Sequence, residues 1–523
     1  MHLLKKFPLT PFQLAAVLAP IGLWMMVWAG MQSGEIRLLF EWDGLSLFLN
    51  RFRATVPLFA GYTALMVIAI NLYWRRPAEF NLVGPLGFTV IYGLVGGIAA
   101  AASPLIPIAL YWVGVYTSVP LVLLAIMWGP NGPERIHRLI RFNTLFILFL
   151  VILFFFVAVR QLDLASQLFD KSTWFNCSLD KPWFGLDFGP VDFLPLGDGL
   201  LRPTGVGRFS ALIAIIAMTS VAAGSWRHDN FDIRVSRGIR VFWAIIFFGA
   251  LIILWTTGAR TAIVGFLGAI VIIGGLYGYF FHGPKVLIGG TLGVLILGSA
   301  LLTTGVPQGL LRGCITSSTY TAGTSLLSIK GDQVNQVPDA TPVPTVIPGT
   351  TVNQVPAVEA TPVPGSTAIA RPKPTPTLDD DKGGGFFAFS GRTIVWEAAW
   401  VSLKDSPFFG YGFHSDRLIL GTHMHNSYLH ALYQTGFIGI IPFMVALIFT
   451  WILLLKSVIN LRTLPTRHKH LVIQSAGIIV FFSARTISES TVAFFGIDWL
   501  ILAPIMMYLQ IASNLTTQQE SEA

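Results

Sequence analysis

Apolar runs long enough to cross a lipid bilayer recur from one end of this chain to the other, and nothing else constrains its fold as strongly. A helix needs roughly 20 apolar residues to span the hydrocarbon layer. Twelve runs of that kind lie near 11–31, 55–73, 81–102, 104–128, 139–160, 206–223, 239–257, 260–281, 285–303, 429–455, 470–488 and 493–511. Inside lipid the backbone must satisfy its own hydrogen bonds, so such runs fold as helices. Only 11% of residues are charged, against about 25% in a soluble protein. The expected fold is all-α: a polytopic membrane protein with about 12 transmembrane helices and a large extracytoplasmic loop between helices 9 and 10. The first run follows Lys5-Lys6 as a signal peptide would, but Trp28 stands where cleavage needs a small residue. It reads as an uncleaved span.

The net charge of +8 does not argue for nucleic acid, because the basic residues sit in short loops between apolar runs. With the N-terminus inside, the inner segments hold Lys5, Lys6, Arg75, Arg76, Arg135, Arg138, Arg141, Arg227, Arg234, Arg237, Arg240, Lys285, Lys456, Arg462, Arg467 and Lys469. The bias puts both termini in the cytoplasm. It divides the chain into helices 1–5 over 1–160, an outer loop over 161–205, helices 6–9 over 206–303, a large outer loop over 304–428, and helices 10–12 with a C-terminal tail over 429–523. The only two cysteines, Cys177 and Cys314, fall in the two outer loops. A disulfide is permitted there, and paired and unpaired readings both stand.

Residues 331–385 break the apolar pattern. Asn335-Gln336-Val337-Pro338 recurs as Asn353-Gln354-Val355-Pro356, ten prolines lie between 338 and 376, and no aromatic stands between Tyr320 and Phe386. Such a stretch cannot bury a core and reads as an extended insert, either a spacer or a tolerated insertion.

Polar residues return after it, beside the tenth run. Ser390 is a good N-cap for a short helix over 391–404, with Trp396 and Trp400 on one face. Arg392 then sits in that helix's first turn, where a cation opposes the helix dipole. A bound anion resolves the conflict; so does solvation, or a pair with Glu397. Arg260 opens the eighth span and Arg202, with Arg208, precedes the sixth. Each is either an interfacial arginine reaching for water or a second cation beside a helix start. His425 heads the tenth span, where Asn426 and Ser427 can cap the helix. Imidazole is the side chain that exchanges a proton near neutral pH, so His425 is the candidate base. Trp396, Tyr411 and Tyr428 can stack on sugars or form an interfacial belt. Arg485 and Glu489, at the end of the eleventh span, either pair with each other or line a site. His414, Asp416, His423, His425 and His430 are too loosely spaced for a metal set.

Taken in order, these residues resemble the O-antigen ligase/polymerase superfamily, whose members share a Wzy_C-type domain. The resemblance rests on Arg202-Pro203-Thr204-Gly205, Gly258-Ala259-Arg260-Thr261-Ala262, Gly391-Arg392 with Trp396, Ser406-Pro407, Gly410-Tyr411-Gly412, and His425-Asn426-Ser427-Tyr428-Leu429 with Gly436 and Gly439. It covers roughly residues 200–445, and the Pro/Thr insert departs from it. It implies a membrane-embedded glycosyltransferase in the cytoplasmic (inner) membrane, using a polyprenyl-diphosphate-linked glycan and neither a metal, another cofactor nor a nucleotide sugar. Carried over residue by residue, His425, Arg392 and Arg260 are catalytic: the arginines hold the diphosphate and the histidine acts on the acceptor hydroxyl. Arg202, Arg208, Trp396, Tyr411, Asn426, Tyr428, Arg485 and Glu489 are candidate substrate contacts. The expected reaction is transfer of an oligo- or polysaccharide to a glycan, lipid or protein hydroxyl on the outer face. A glycan polymerase and a protein O-oligosaccharyltransferase share that chemistry. The rivals of another class are a polysaccharide transporter or flippase, which would carry its charges near the bilayer centre, and an inactive surface-binding scaffold.

Overall fold

A computed structural model describes residues 22, 24, 44–76, 80–129, 131–168, 203–224, 237–256, 259–282, 392–421, 424–490, 492–493 and 498–522. The run at 285–303, the insert 331–385, Arg202, Cys177 and Cys314 lie outside the described residues, as does nearly all of the run at 11–31. The long regular elements among the described residues are helices: α1 Gly44–Tyr73, α2 Pro85–Ala99, α3 Ile106–Met127, α4 Gly132–Leu168, α5 Pro203–Gly224, α6 Arg237–Thr256, α7 Arg260–Tyr277, α8 Arg392–Leu403, α9 Ser427–Ile459, α10 Thr466–Thr486 and α11 Trp499–Glu522. Among the described residues, seven segments are long and apolar enough to cross a membrane: Thr55–Tyr73, Pro85–Ala102, Ile106–Met127, Gly205–Ala222, Arg237–Leu254, Thr261–Phe280 and Ser427–Ile459. The chain is a multi-pass membrane protein.

Many large apolar side chains lie on its outside. Phe59, Leu65, Phe242, Ile245, Phe248, Ile252, Ile441 and Ile452 are all exposed. An apolar surface of that extent is stable against lipid and would aggregate in water. Between helices, packing replaces the hydrophobic effect, so small residues sit where backbones approach. A Cβ on Gly265 of α7 would come within 2.9 Å of Phe481 of α10, and one on Gly61 of α1 within 3.0 Å of Ser118 of α3. α1, α2, α3 and α9 pack as one group, α5, α6, α7 and α10 as another; α9 meets α10, and α4 and α11 fill the seam. α5 and α11 lie deep, with Phe209 through Ala217 of α5 and Trp499 through Ser513 of α11 buried without a gap.

The register of neighbours fixes which ends coincide. α7 and α10 run antiparallel, with Gly265 beside Phe481 and Ile273 beside Gly477, and Tyr277 Oη lies 3.0 Å from His470 Nδ1. α11 is also antiparallel to α10, with Tyr508 Oη 3.3 Å from His468 Nδ1. The N-termini of α7 and α11 therefore lie where α10 ends, and Arg260 opens α7 at that end. Basic residues gather at the other end. Arg135 donates to the carbonyls of Ile126, Met127 and Trp128 at the close of α3, and Trp128 Nε1 donates to the Arg76 carbonyl.

α9 is broken. Gly436 has φ 61° and ψ −167° inside it, which frees backbone groups on both sides of the break. The segment after α8 supplies their partners. Tyr411 N–H donates to the Tyr433 carbonyl (3.1 Å) and Gly412 N–H to Gln434 (2.8 Å). Pro407 and Phe408 carbonyls accept from the N–H groups of Phe437 (2.9 Å) and Ile438 (3.1 Å). Gly410 and Gly412 need glycine for the same junction, at φ 67° and 82°. The inserted segment is anchored deeper by a wholly buried pair, His430 Nδ1 at 3.2 Å from Asp416 Oδ2, and by His414 stacked on Trp112 with ring centroids 5.1 Å apart.

A Cβ on Gly436 would collide with the Phe408 carbonyl, in a left-handed conformation besides. Gly436→Ala is expected to lose about 2–4 kcal/mol, strain and overpacking together. Gly421 has φ 72° and open space around it, so Gly421→Ala meets the strain alone. Thermal unfolding of the two variants in detergent should separate them clearly; equal midpoints would refute the junction.

Candidate functional site

The turn after α10 is where the expected residues meet. Three residues at the head of α9 stitch it down. Asn426 Oδ1 caps the helix by accepting from Leu429 N–H at 2.9 Å, while its Nδ2 donates to the Ile487 carbonyl at 2.9 Å. Asn426 N–H donates to Ser490 Oγ at 3.2 Å. Ser427 Oγ donates to the Glu489 carbonyl at 2.7 Å. Tyr428 Oη accepts from Thr486 Oγ1 at 3.0 Å. His425 precedes this cap with φ 50°, a left-handed backbone that a non-glycine residue adopts only under constraint from its surroundings.

Arg392, the first residue of α8, reaches the same turn. Its Nη1 donates to the Ser488 carbonyl at 2.7 Å and its Nη2 lies 3.6 Å from Glu489 Oε1. Glu489 Oε2 lies 3.6 Å from His425 Nδ1. One carboxylate thus stands between the guanidinium and the imidazole. Arg392 turns to Glu489 and not to Glu397, its neighbour on the same helix, which is exposed. The α8 dipole places Glu489 well, since a helix N-terminus favours an anion. Burial alone would raise the Glu489 carboxyl; the His425 imidazole and the Arg485 and Arg392 guanidinium groups outweigh it and hold it below its ordinary 4.5. Glu489 is therefore ionised at neutral pH.

A second ion network lies deeper at this end. Arg208, near the start of α5, grips Asp498 with Nε at 3.0 Å from Oδ1 and Nη1 at 3.1 Å from Oδ2. Arg485 Nη1 lies 3.7 Å from the same Oδ2. Arg485 thus faces Asp498 in this second network, while Glu489 serves Arg392 and His425. Sequence reasoning missed Asp498. Its signal was present: a lone acid inside the apolar run at 493–511, where charge is costly and usually partnered. Among the described residues, Arg485 Nε and Nη1 have no hydrogen-bond partner. Three guanidinium groups (Arg208, Arg392, Arg485) face two carboxylates, a local excess of positive charge, and α5, α7, α8, α9 and α11 all begin here.

The remaining expected residues are placed around this centre. Trp396 Nε1 donates to the Met424 carbonyl at 2.6 Å, holding α8 to the segment that carries His425. Tyr411 Oη donates to the Ser402 carbonyl at 2.6 Å, and its ring lies 5.2 Å from that of Tyr433, so it packs the α8 side of the junction. Arg260 heads α7 at this end; its side chain lies outside what is described, and Arg202 does as a whole. Among the described residues no group of three His, Cys, Asp or Glu side chains is arranged to hold a metal. Between α9, α10 and α11 an apolar cavity of about 110 Å³ is lined by Tyr428, Leu447, Trp451, Phe482, Thr486 and Met506. Tyr428 and Thr486 belong to both the cavity wall and the turn above it.

Two measurements check this electrostatic arrangement. Asp498→Asn leaves two buried guanidinium groups without a counter-charge and should cost about 3–5 kcal/mol, read as a lowered unfolding midpoint; an unchanged midpoint would mean the network is inert. Glu489 has a folded-state value below its unfolded one, so its stabilisation is full above about pH 4.5 and lost as pH falls through the lowered value. Wild type should accordingly exceed Glu489→Gln in thermal stability at neutral pH, and the two curves should converge in acid. A gap that widens in acid would reverse the sign.

No curated protein gives a significant match to the chain. A family model does. It covers α7, α8, the junction segment, His425 and α9 through the break, and leaves Arg208, Arg485, Glu489 and Asp498 outside. Residues 244–444 match the model of Wzy_C, the O-Antigen ligase family.

Proposed function

We propose that this end of the bundle transfers an oligo- or polysaccharide from a polyprenyl diphosphate to an acceptor hydroxyl on the outer face of the cytoplasmic membrane. The observation that carries the reading is the Arg392–Glu489–His425 chain, set among the starts of five helices. His425 Nδ1 faces the carboxylate, and Nε2 is the atom that acts on the acceptor. In the transfer, Nε2 takes the acceptor O–H proton and the oxygen bonds to the sugar's anomeric carbon. The bond from that carbon to the phosphate oxygen breaks, and its electron pair leaves with the diphosphate. Arg392, together with Arg260, stabilises that charge where it develops. Helix N-termini add to the field. The apolar cavity beneath Tyr428 supports a lipid-linked donor over a water-soluble one. The basic loops at the opposite end support an outward site.

A ligase, a glycan polymerase and a transferase onto protein hydroxyls share this chemistry and differ in the acceptor. The broken α9 and its buried Asp416–His430 pair also favour a second reading, a transporter, since transporters use broken helices and intramembrane charge. Purified protein reconstituted with a polyprenyl-diphosphate glycan and a panel of hydroxyl acceptors decides between them by product mass. His425→Ala should slow transfer about 10²–10⁴-fold, the usual contribution of a positioned base, with the fold intact. Full transfer by His425→Ala would end the assignment, and glycan flux without any transfer would favour the transporter.

A further inference from the structure

Glu489 makes two contacts of the same length, 3.6 Å to Arg392 Nη2 and 3.6 Å to His425 Nδ1. Both exceed the range of a strong charge-assisted hydrogen bond, about 2.7–2.9 Å. Its main chain, by contrast, is held. Its own carbonyl accepts from Ser427, and Ser488 and Ile487 before it accept from Arg392 and Asn426. The freedom at this centre therefore belongs to side chains. Arg392 and His425 have the room to use it, with side chains 27% and 40% exposed.

We propose that Glu489 is a positioning residue that couples arrival of the donor to readiness of the acceptor base. This rests on the transferase reading above. In the geometry described, the carboxylate is divided between the two partners. A diphosphate carries more charge than one carboxylate and offers a guanidinium paired contacts, so it draws Arg392 toward itself. Glu489 is then left to His425. It accepts the Nδ1–H, fixes the tautomer and turns the bare Nε2 toward the acceptor. The base is oriented only when there is a donor to react with, which suppresses idle proton exchange.

The coupling has a signature that a structural carboxylate would not produce, because removing the charge acts oppositely on the two halves of the site. Glu489→Gln frees Arg392 from a competitor and removes the anchor of His425. Affinity for polyprenyl diphosphate, titrated on the full-length protein in lipid nanodiscs, should tighten about 3–10-fold while kcat falls about 10–100-fold. His425→Ala with Glu489→Gln should be no slower than His425→Ala alone, since one acts through the other. Glu489→Asp keeps the charge on a shorter arm, so its donor affinity should stay within about twofold of wild type while kcat is partly restored relative to Gln. Weakened donor binding in parallel with lost kcat, in either variant, overturns the coupling, and so does an unchanged kcat. Wild-type protein that neither binds polyprenyl diphosphate nor transfers a glycan overturns the transferase reading, and this inference with it.

Discussion

A backbone in lipid has no water to satisfy its polar groups, and the architecture of this protein turns on how it meets that demand at one residue. At Gly436 α9 stops being continuous, and the freed groups are taken up by residues 407–412. That repair is what brings α8 back to the bundle. Trp396 then joins α8 to Met424, so Arg392 and His425 approach the turn after α10 from two sides. The glycines of the sequence motif acquire a common reason: Gly410 and Gly412 shape the inserted strand of backbone, and Gly436 opens the gap it fills. The buried Asp416–His430 pair and the His414–Trp112 stack hold the segment after α8 from below. A buried pair of this kind is weak evidence for stability but a good device for fixing register.

Two ion networks then share one end of the bundle and differ in depth. Arg208, Asp498 and Arg485 are nearly sealed from the surface, with side chains 11%, 1% and 3% exposed. Arg392, Glu489 and His425 are partly open. The deep network ties the starts of α5 and α11 to the end of α10, so it sets where the turn carrying Glu489 stands. The open one keeps groups that can change partners. A rigid base under adjustable side chains suits the transfer proposed above, in which a charged donor is held while a second substrate is acted on.

Much of this was legible in the chain itself. Among the described residues, seven of the expected apolar runs are helices long and apolar enough to cross a membrane, because lipid enforces length and hydropathy on every span and both are local properties. Asn426 as a cap, Arg392 at a helix start and the glycine pairs could also be read, since each breaks or obeys a rule within a few residues. The partners could not. Glu397 is five residues from Arg392 and Glu489 is 97 away, yet the guanidinium chooses the distant one. Asp498 passed unnoticed because its meaning lies in Arg208, across 290 residues. Tyr411 reads in sequence as a sugar-stacking or interfacial-belt ring, and only the fold shows its hydroxyl donating to the Ser402 carbonyl.

The apolar runs by themselves determined a helical membrane protein, and the order of arginines, glycines and His425-Asn426 pointed to the stretch of chain that includes the match to the family model. Only the packed bundle decided that Arg392 and His425 meet through Glu489, and that Arg485 turns inward to Asp498. Hydropathy and capping are summed along the chain, whereas a charge buried among helices finds its counter-charge wherever the fold sets one within a few ångströms, with no regard for distance in sequence.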